Sequence, residues 1–79
     1  MWWMFEKRKE TENFVEYAYS RGDRSLDGLL LYDKLTEKVS AIRPCSSDKT
    51  PPNSPRYAFE HIYTLKEYGF PDRRQIACG

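Results

Sequence analysis

Cys45, His61 and Cys78 are the side chains with the most obvious capacity for covalent chemistry in this sequence. A cysteine becomes a nucleophile when a neighbour lowers its pKa, and an imidazole is a suitable neighbour. Such a pair also needs a group that orients the base, and the residues around His61 carry no local signature that supplies one. The competing expectation is a partly buried helix histidine, with Cys78 in QIACG as a small apolar residue of a terminal strand. Two cysteines, no CxxC pair and one histidine fall short of the four ligands of a structural zinc site. The sequence is therefore expected to hold no cofactor and no metal, and not to be an enzyme.

Other residues point to recognition. Arg73 and Arg74 follow Gly69 and Pro71 near the end of the chain, and arginine pairs bidentately with carboxylate or phosphate. Two adjacent residues in a strand face opposite sides, so at most one of them lines the same surface as Arg56 or Arg43. The tripeptide Arg21-Gly22-Asp23 matches a cell-adhesion motif, but a glycine-containing turn explains it more simply. TPPNSP, residues 50–55, has the proline content of an extended ligand segment, while Pro55 is accounted for by the start of a helix. Trp2, Trp3, Met4 and Phe5 are costly to leave in water, at about 1.5–3 kcal/mol for each large side chain. They are expected either to join the core or to anchor a partner.

Three strands, a helix and a short last strand must position these groups. NFVEYAYS, residues 13–20, is aromatic and β-branched, with Val15, Tyr17 and Tyr19 on one side and Phe14 and Ala18 on the other, as in a central strand. Strands over 28–33 and 38–43 flank KLTEK and read as a hairpin. After an irregular loop at 44–54, a helix over about 55–68 carries Ala58, Ile62 and Leu65 in one stripe, with Phe59 and Tyr63 beside it. Gly69 and Pro71 stop that helix, and RRQIAC, residues 73–78, offers a short last strand. The expected architecture is a single α+β domain over 1–79, a two-layer unit in which a three-stranded antiparallel meander is covered by one helix. The last strand should run parallel to the first and third and lie beside one of them. Residues 1–12 suit either a helix or a strand.

Charge and size bound the function. Thirteen basic and twelve acidic residues give a net charge of +1, without the excess expected of a dedicated nucleic-acid binder. Seventy-nine residues build one small core, for which help from a partner or a second copy is plausible. The apolar run at residues 1–5 is too short for a signal or membrane segment, so a cytoplasmic protein without membrane contact is expected. The preferred reading is a small non-enzymatic interaction or regulatory module that binds another protein or itself. Its candidate contacts are Trp2, Trp3, Tyr17, Tyr19, Arg56, Arg73 and Arg74. The alternative is a nucleic-acid-binding domain. With a helix over residues 2–11, the order helix, three strands, helix is similar to that of double-stranded-RNA-binding domains. That family places a lysine cluster where this chain has NSPRYAFEHI.

Overall fold

The computed structural model describes residues 2–43, 45, 46 and 54–77, with the backbone alone over 54–58. Five strands and one helix follow in order: β1 (Trp2–Glu10), β2 (Phe14–Arg21), β3 (Gly28–Asp33), β4 (Lys38–Arg43), α1 (Ser54–Glu67) and β5 (Arg73–Ala77). The α+β class and the three expected strands are found, but the sheet has five strands and is not a three-stranded meander. The correction comes from residues 2–10. Trp3 and Phe5, two apart, are fully buried on the helix side, and Met4 between them is buried on the other. That period of two belongs to a strand, so the helix–three-strand–helix order is not the one this chain adopts.

The sheet order is β4-β3-β2-β1-β5, and each neighbouring pair is antiparallel. β5 therefore runs in the direction of β2 and β4, as expected for a strand returning through a helix. It lies beside β1 instead, because β1 has taken the free side of β2. The connection through α1 leads from one edge of the sheet to the other, and the helix covers one face. β2 is the middle strand, and Val15, Tyr17, Tyr19 and Ala18 are all buried, the last on the face opposite the helix.

The core lies between α1 and the sheet. Trp3, Phe5, Tyr17, Tyr19, Leu30 and Tyr32 meet Ile62 and Leu65 of the helix, with Phe59, Phe70 and Ile76 closing the margins. The rings of Trp3, Phe5 and Tyr19 stack at centroid separations of 6.2–6.4 Å, and Tyr17 meets Phe5 edge-on. Among the described residues, half of the buried cluster is aromatic, namely Trp3, Phe5, Tyr17, Tyr19 and Tyr32, and each such ring brings a large area of burial.

The last turn of α1 ends as the sequence implies. Phe70 N–H donates to Leu65 O at 2.9 Å and Gly69 N–H to Lys66 O at 3.0 Å, with Gly69 at φ 78°. These are the paired bonds of a Schellman cap. A Cβ on Gly69 would meet nothing within 4 Å, so Gly69→Ala carries only the conformational cost, about 1 kcal/mol. A thermal melt should show that loss, and an unchanged midpoint would contradict the assignment.

A bulge in β1 sets up an ion-pair group at the other end of the sheet. Lys7 pairs with Tyr17 and Lys9 with Glu16, leaving Arg8 as the extra residue. The shift returns Glu10 to the side of Lys7, which an unbroken strand would not do. Lys7 Nζ then reaches Glu10 at 2.6 Å and Asp72 at 3.4 Å, and Lys34 Nζ reaches Glu10 at 2.9 Å. Tyr17 donates its hydroxyl to Pro71 O at 2.6 Å. Together these contacts tie β5 and the hairpin turn to the centre of the sheet.

Candidate functional site

The face of the sheet away from α1 is only partly covered, and the loop between β2 and β3 does the covering. Gly22, at φ 73°, turns the chain, and Gly22 N–H donates to Trp2 O at 2.8 Å. Ser20 Oγ donates to Asp23 O at 2.7 Å. Asp23 Oδ1 accepts from Ser25 N at 3.0 Å and from Ser25 Oγ at 2.9 Å. Asp27 closes the far end, accepting Ser46 N–H at 3.1 Å on its carboxylate and Arg43 Nε at 2.6 Å on its carbonyl. The loop is held at both ends, so its side chains are presented by a fixed backbone.

Between this loop and the β1–β5 side of the sheet lies a cleft of about 330 Å³ lined by Met4, Leu26, Arg24 and Arg73. Met4 and Leu26 supply apolar surface, and the two arginines flank it. Leu26 sits at φ 51°, a left-handed conformation that costs a non-glycine residue about 1 kcal/mol. Such strain survives only where the surrounding bonds impose it. Glu6, from the register partner of Arg73, accepts from Arg73 Nε at 3.1 Å and also from Arg73 Nη2. Arg8 Nη1 holds the other oxygen of Glu6 at 2.7 Å. Arg73 is thus oriented by one carboxylate. Among the described residues Arg24 makes no ion pair.

The residues singled out from the sequence are divided by the fold. Trp3, Tyr17 and Tyr19 are core residues, between 0% and 1% exposed, and offer no surface to a partner. Trp2 is half-buried on the face of the cleft. Arg73 and Arg74 do point to opposite faces: Arg73 lines the cleft, while the Arg74 guanidinium lies 3.8 Å from the centroid of the Tyr68 ring. Arg56 belongs to α1, but its side chain lies outside the described residues. Arg24 and Leu26 were missed because they stand in a loop with no periodicity, and only the packing of that loop on the sheet brings them to Met4 and Arg73.

His61 and Cys45, two of the groups with covalent potential, are used for packing. The His61 ring lies 5.5 Å from that of Trp3 and 6.1 Å from that of Phe5, and burial holds its pKa below the usual value of 6.5. Cys45 is buried, and its backbone N–H donates to the Tyr19 hydroxyl at 3.2 Å. Cys78 and the proline-rich segment 50–53 lie outside the described residues. In the Arg-Gly-Asp tripeptide, Arg21 lies over the Trp3 ring at 5.3 Å and Asp23 caps its own loop. Among the described residues, no group of His, Cys, Asp and Glu gathers that could hold a metal ion, and no helix is long and apolar enough to cross a membrane.

The ion pairs give stability a definite pH dependence. Arg73 lowers the Glu6 pKa, and Lys7 followed by Lys34 lowers that of Glu10, both from an ordinary 4.5. A carboxylate with a depressed folded pKa stabilises above its unfolded value and loses that contribution as pH falls through the folded one. His61 obeys the same sign for a different reason: the unfolded imidazole takes up a proton first. The thermal midpoint should therefore decline in two stages on acidification, beginning near pH 6.5 and again below about pH 4.5. His61→Gln should remove the upper stage and leave the lower. A single transition shared by both proteins would refute the assignment.

Compared with models of known protein families, with curated proteins and with solved structures, the chain matches none.

Proposed function

We propose that this protein is a small binding module that recognises another protein through the face of its sheet opposite α1. The observation that carries this reading is the asymmetry of the sheet. The helix side is filled by a closed aromatic core, whereas the other side presents a cleft with apolar walls and two arginines. Leu29 and Leu31 continue that side as half-buried residues, and Ile42 is 53% exposed. A surface of mixed apolar and arginine character is typical of contact regions between proteins.

The free sheet edges are less suited to this role. β4 begins at Lys38 and is bulged at Ile42, where Leu29 pairs with Arg43 and Leu30 with Ala41. β5 carries Arg73 and Arg74. Charge and bulges at edges discourage strand-to-strand pairing, which favours the face as the contact surface. For nucleic acid, a tracking surface would need many free cations. Five of the described cations, Lys7, Arg8, Lys34, Lys66 and Arg73, each hold a carboxylate, and Arg43 and Arg74 are engaged with the Asp27 carbonyl and the Tyr68 ring.

The test is capture of partners by the native protein and by two charge-changed variants, with light scattering to record self-association. Leu31→Lys with Ile42→Lys alters the proposed face, and Glu60→Lys with Glu67→Lys alters the exposed side of α1. Both should fold, since surface changes of this kind cost little. Loss of partners, or of a dimer, in the first variant only is the expected result. Equal binding by both variants would reject the face.

A further inference from the structure

We infer that the cleft formed by Met4, Leu26, Arg24 and Arg73 is a receptor for a carboxylate carried on an acidic peptide segment that also presents an apolar side chain. This rests on the reading of the sheet face as a protein-binding surface, and specifies what that surface reads. Three properties of the cleft lead to it. Its volume of about 330 Å³ is at the low end of the roughly 300–1,000 Å³ of ligand pockets, which suits one or two side chains of a peptide. Its apolar lining comes from Met4 and Leu26, so the occupant must present an apolar group as well as a charge.

The third property is charge. The charged groups that line the cleft are the guanidinium groups of Arg24 and Arg73, with the Glu6 carboxylate bound to Arg73 and Arg8 bound in turn to Glu6. Glu6 occupies Nε and Nη2 of Arg73, leaving the rest of that guanidinium as a donor, and Arg24 is without an ion pair among the described residues. Guanidinium groups bind carboxylates through planar, charge-assisted hydrogen bonds. Glu6 repels an incoming anion, but it also fixes the direction of Arg73, and Arg8 shares its charge. The loop bonds of Ser20, Asp23 and Asp27 fix the backbone that carries Arg24 and the strained Leu26 before any ligand arrives. Less ordering is then lost on binding.

The experiment uses fluorescence anisotropy with a labelled peptide of alternating leucine and glutamate, its leucine–glutamine analogue, and a labelled single-stranded oligonucleotide. The glutamate peptide should bind the native protein, with affinity falling as salt is added. The glutamine analogue should bind at least about tenfold more weakly, the scale of one charge-assisted hydrogen bond. Arg24→Ala and Arg73→Ala should each weaken the glutamate peptide by a similar factor. Lys38→Ala removes the same charge from the far edge of the sheet, and should change affinity less than twofold. Leu26→Gly should weaken binding without lowering the thermal midpoint by more than a few degrees, because it relieves the left-handed strain while removing the apolar wall.

Equal binding of the two peptides, no binding of either, or full affinity in Arg24→Ala would overturn the inference. So would Arg24-dependent retention of the oligonucleotide in preference to the peptide. If Arg24→Ala still captures the protein partners that Leu31→Lys with Ile42→Lys loses, the sheet-face reading stands and the carboxylate receptor falls. If neither variant loses a partner, the sheet-face reading itself fails.

Discussion

Trp3→Ala is expected to abolish cooperative folding. The side chain is 1% exposed and its ring contacts those of Phe5, Tyr19 and His61, with the Arg21 guanidinium over it at 5.3 Å. Truncation of a buried tryptophan costs about 3–5 kcal/mol through lost transfer energy and the cavity left behind. A single core of this size yields net stability on the order of 3–5 kcal/mol, so the substitution removes most or all of it. Loss of the thermal transition and of dispersed amide resonances would be the signature. Trp2→Ala is the control: Trp2 is only half-buried on the other face of β1, so the transition should survive. Cooperative melting of Trp3→Ala within a few degrees of the native protein would show that the ring is not central to the core.

Gly28→Ala is expected to be the next most damaging change, although it adds a single methyl group. Gly28 pairs with Tyr19 across β2 and β3, and the Tyr19 ring lies directly over it. A Cβ at position 28 would stand 2.7 Å from both Cδ1 and Cζ of that ring, a separation no stable packing allows. The ring must move, and its neighbours are Trp3 and Phe5. Displacement also breaks the bond from Cys45 N–H to the Tyr19 hydroxyl. Overpacking of this kind costs about 1–3 kcal/mol, with about 1 kcal/mol more for the hydrogen bond. Chemical denaturation of Gly28→Ala, Tyr19→Leu and the double variant measures the cause. If the clash is responsible, the double variant loses less than the sum of the two, by at least about 1 kcal/mol. Strict additivity would exclude the clash as the source.

The close approach of Gly28 to the Tyr19 ring is a kind of information that a sequence withholds. In RGDRSLDG the glycine reads as one more turn residue, yet its need for a hydrogen side chain comes from a tyrosine nine positions earlier. The same holds for the cleft. Arg24 and Leu26 belong to a loop whose conformation depends on Ser20, Asp27, Arg43 and Ser46, and no periodic signal connects them with Met4 or Arg73. Arg73 was visible as a candidate contact because helix stop and strand register are local properties. Its partner Glu6 was not, since the pairing depends on which strand β5 lies beside.

Residue order alone determined the elements whose cause is local. The alternation of Val15, Tyr17 and Tyr19 marks a strand with an apolar side, Gly69 and Pro71 end the helix, and the spacing of Ile62 and Leu65 selects the helix face that is buried. Each of these depends on backbone geometry or side-chain period within about a dozen residues. Only the tertiary structure decided that residues 2–10 form a strand, that this strand separates β2 from β5, and that the aromatic anchors Trp3, Tyr17 and Tyr19 are spent on the core. The physical reason is competition for burial. Residues 1–12 have the side chains of either element, and the choice is made by the open flank of β2 and by the aromatic surface of Tyr17 and Tyr19, which β1 covers with Trp3 and Phe5. That pairing closes one face and leaves the cleft with its two arginines on the other.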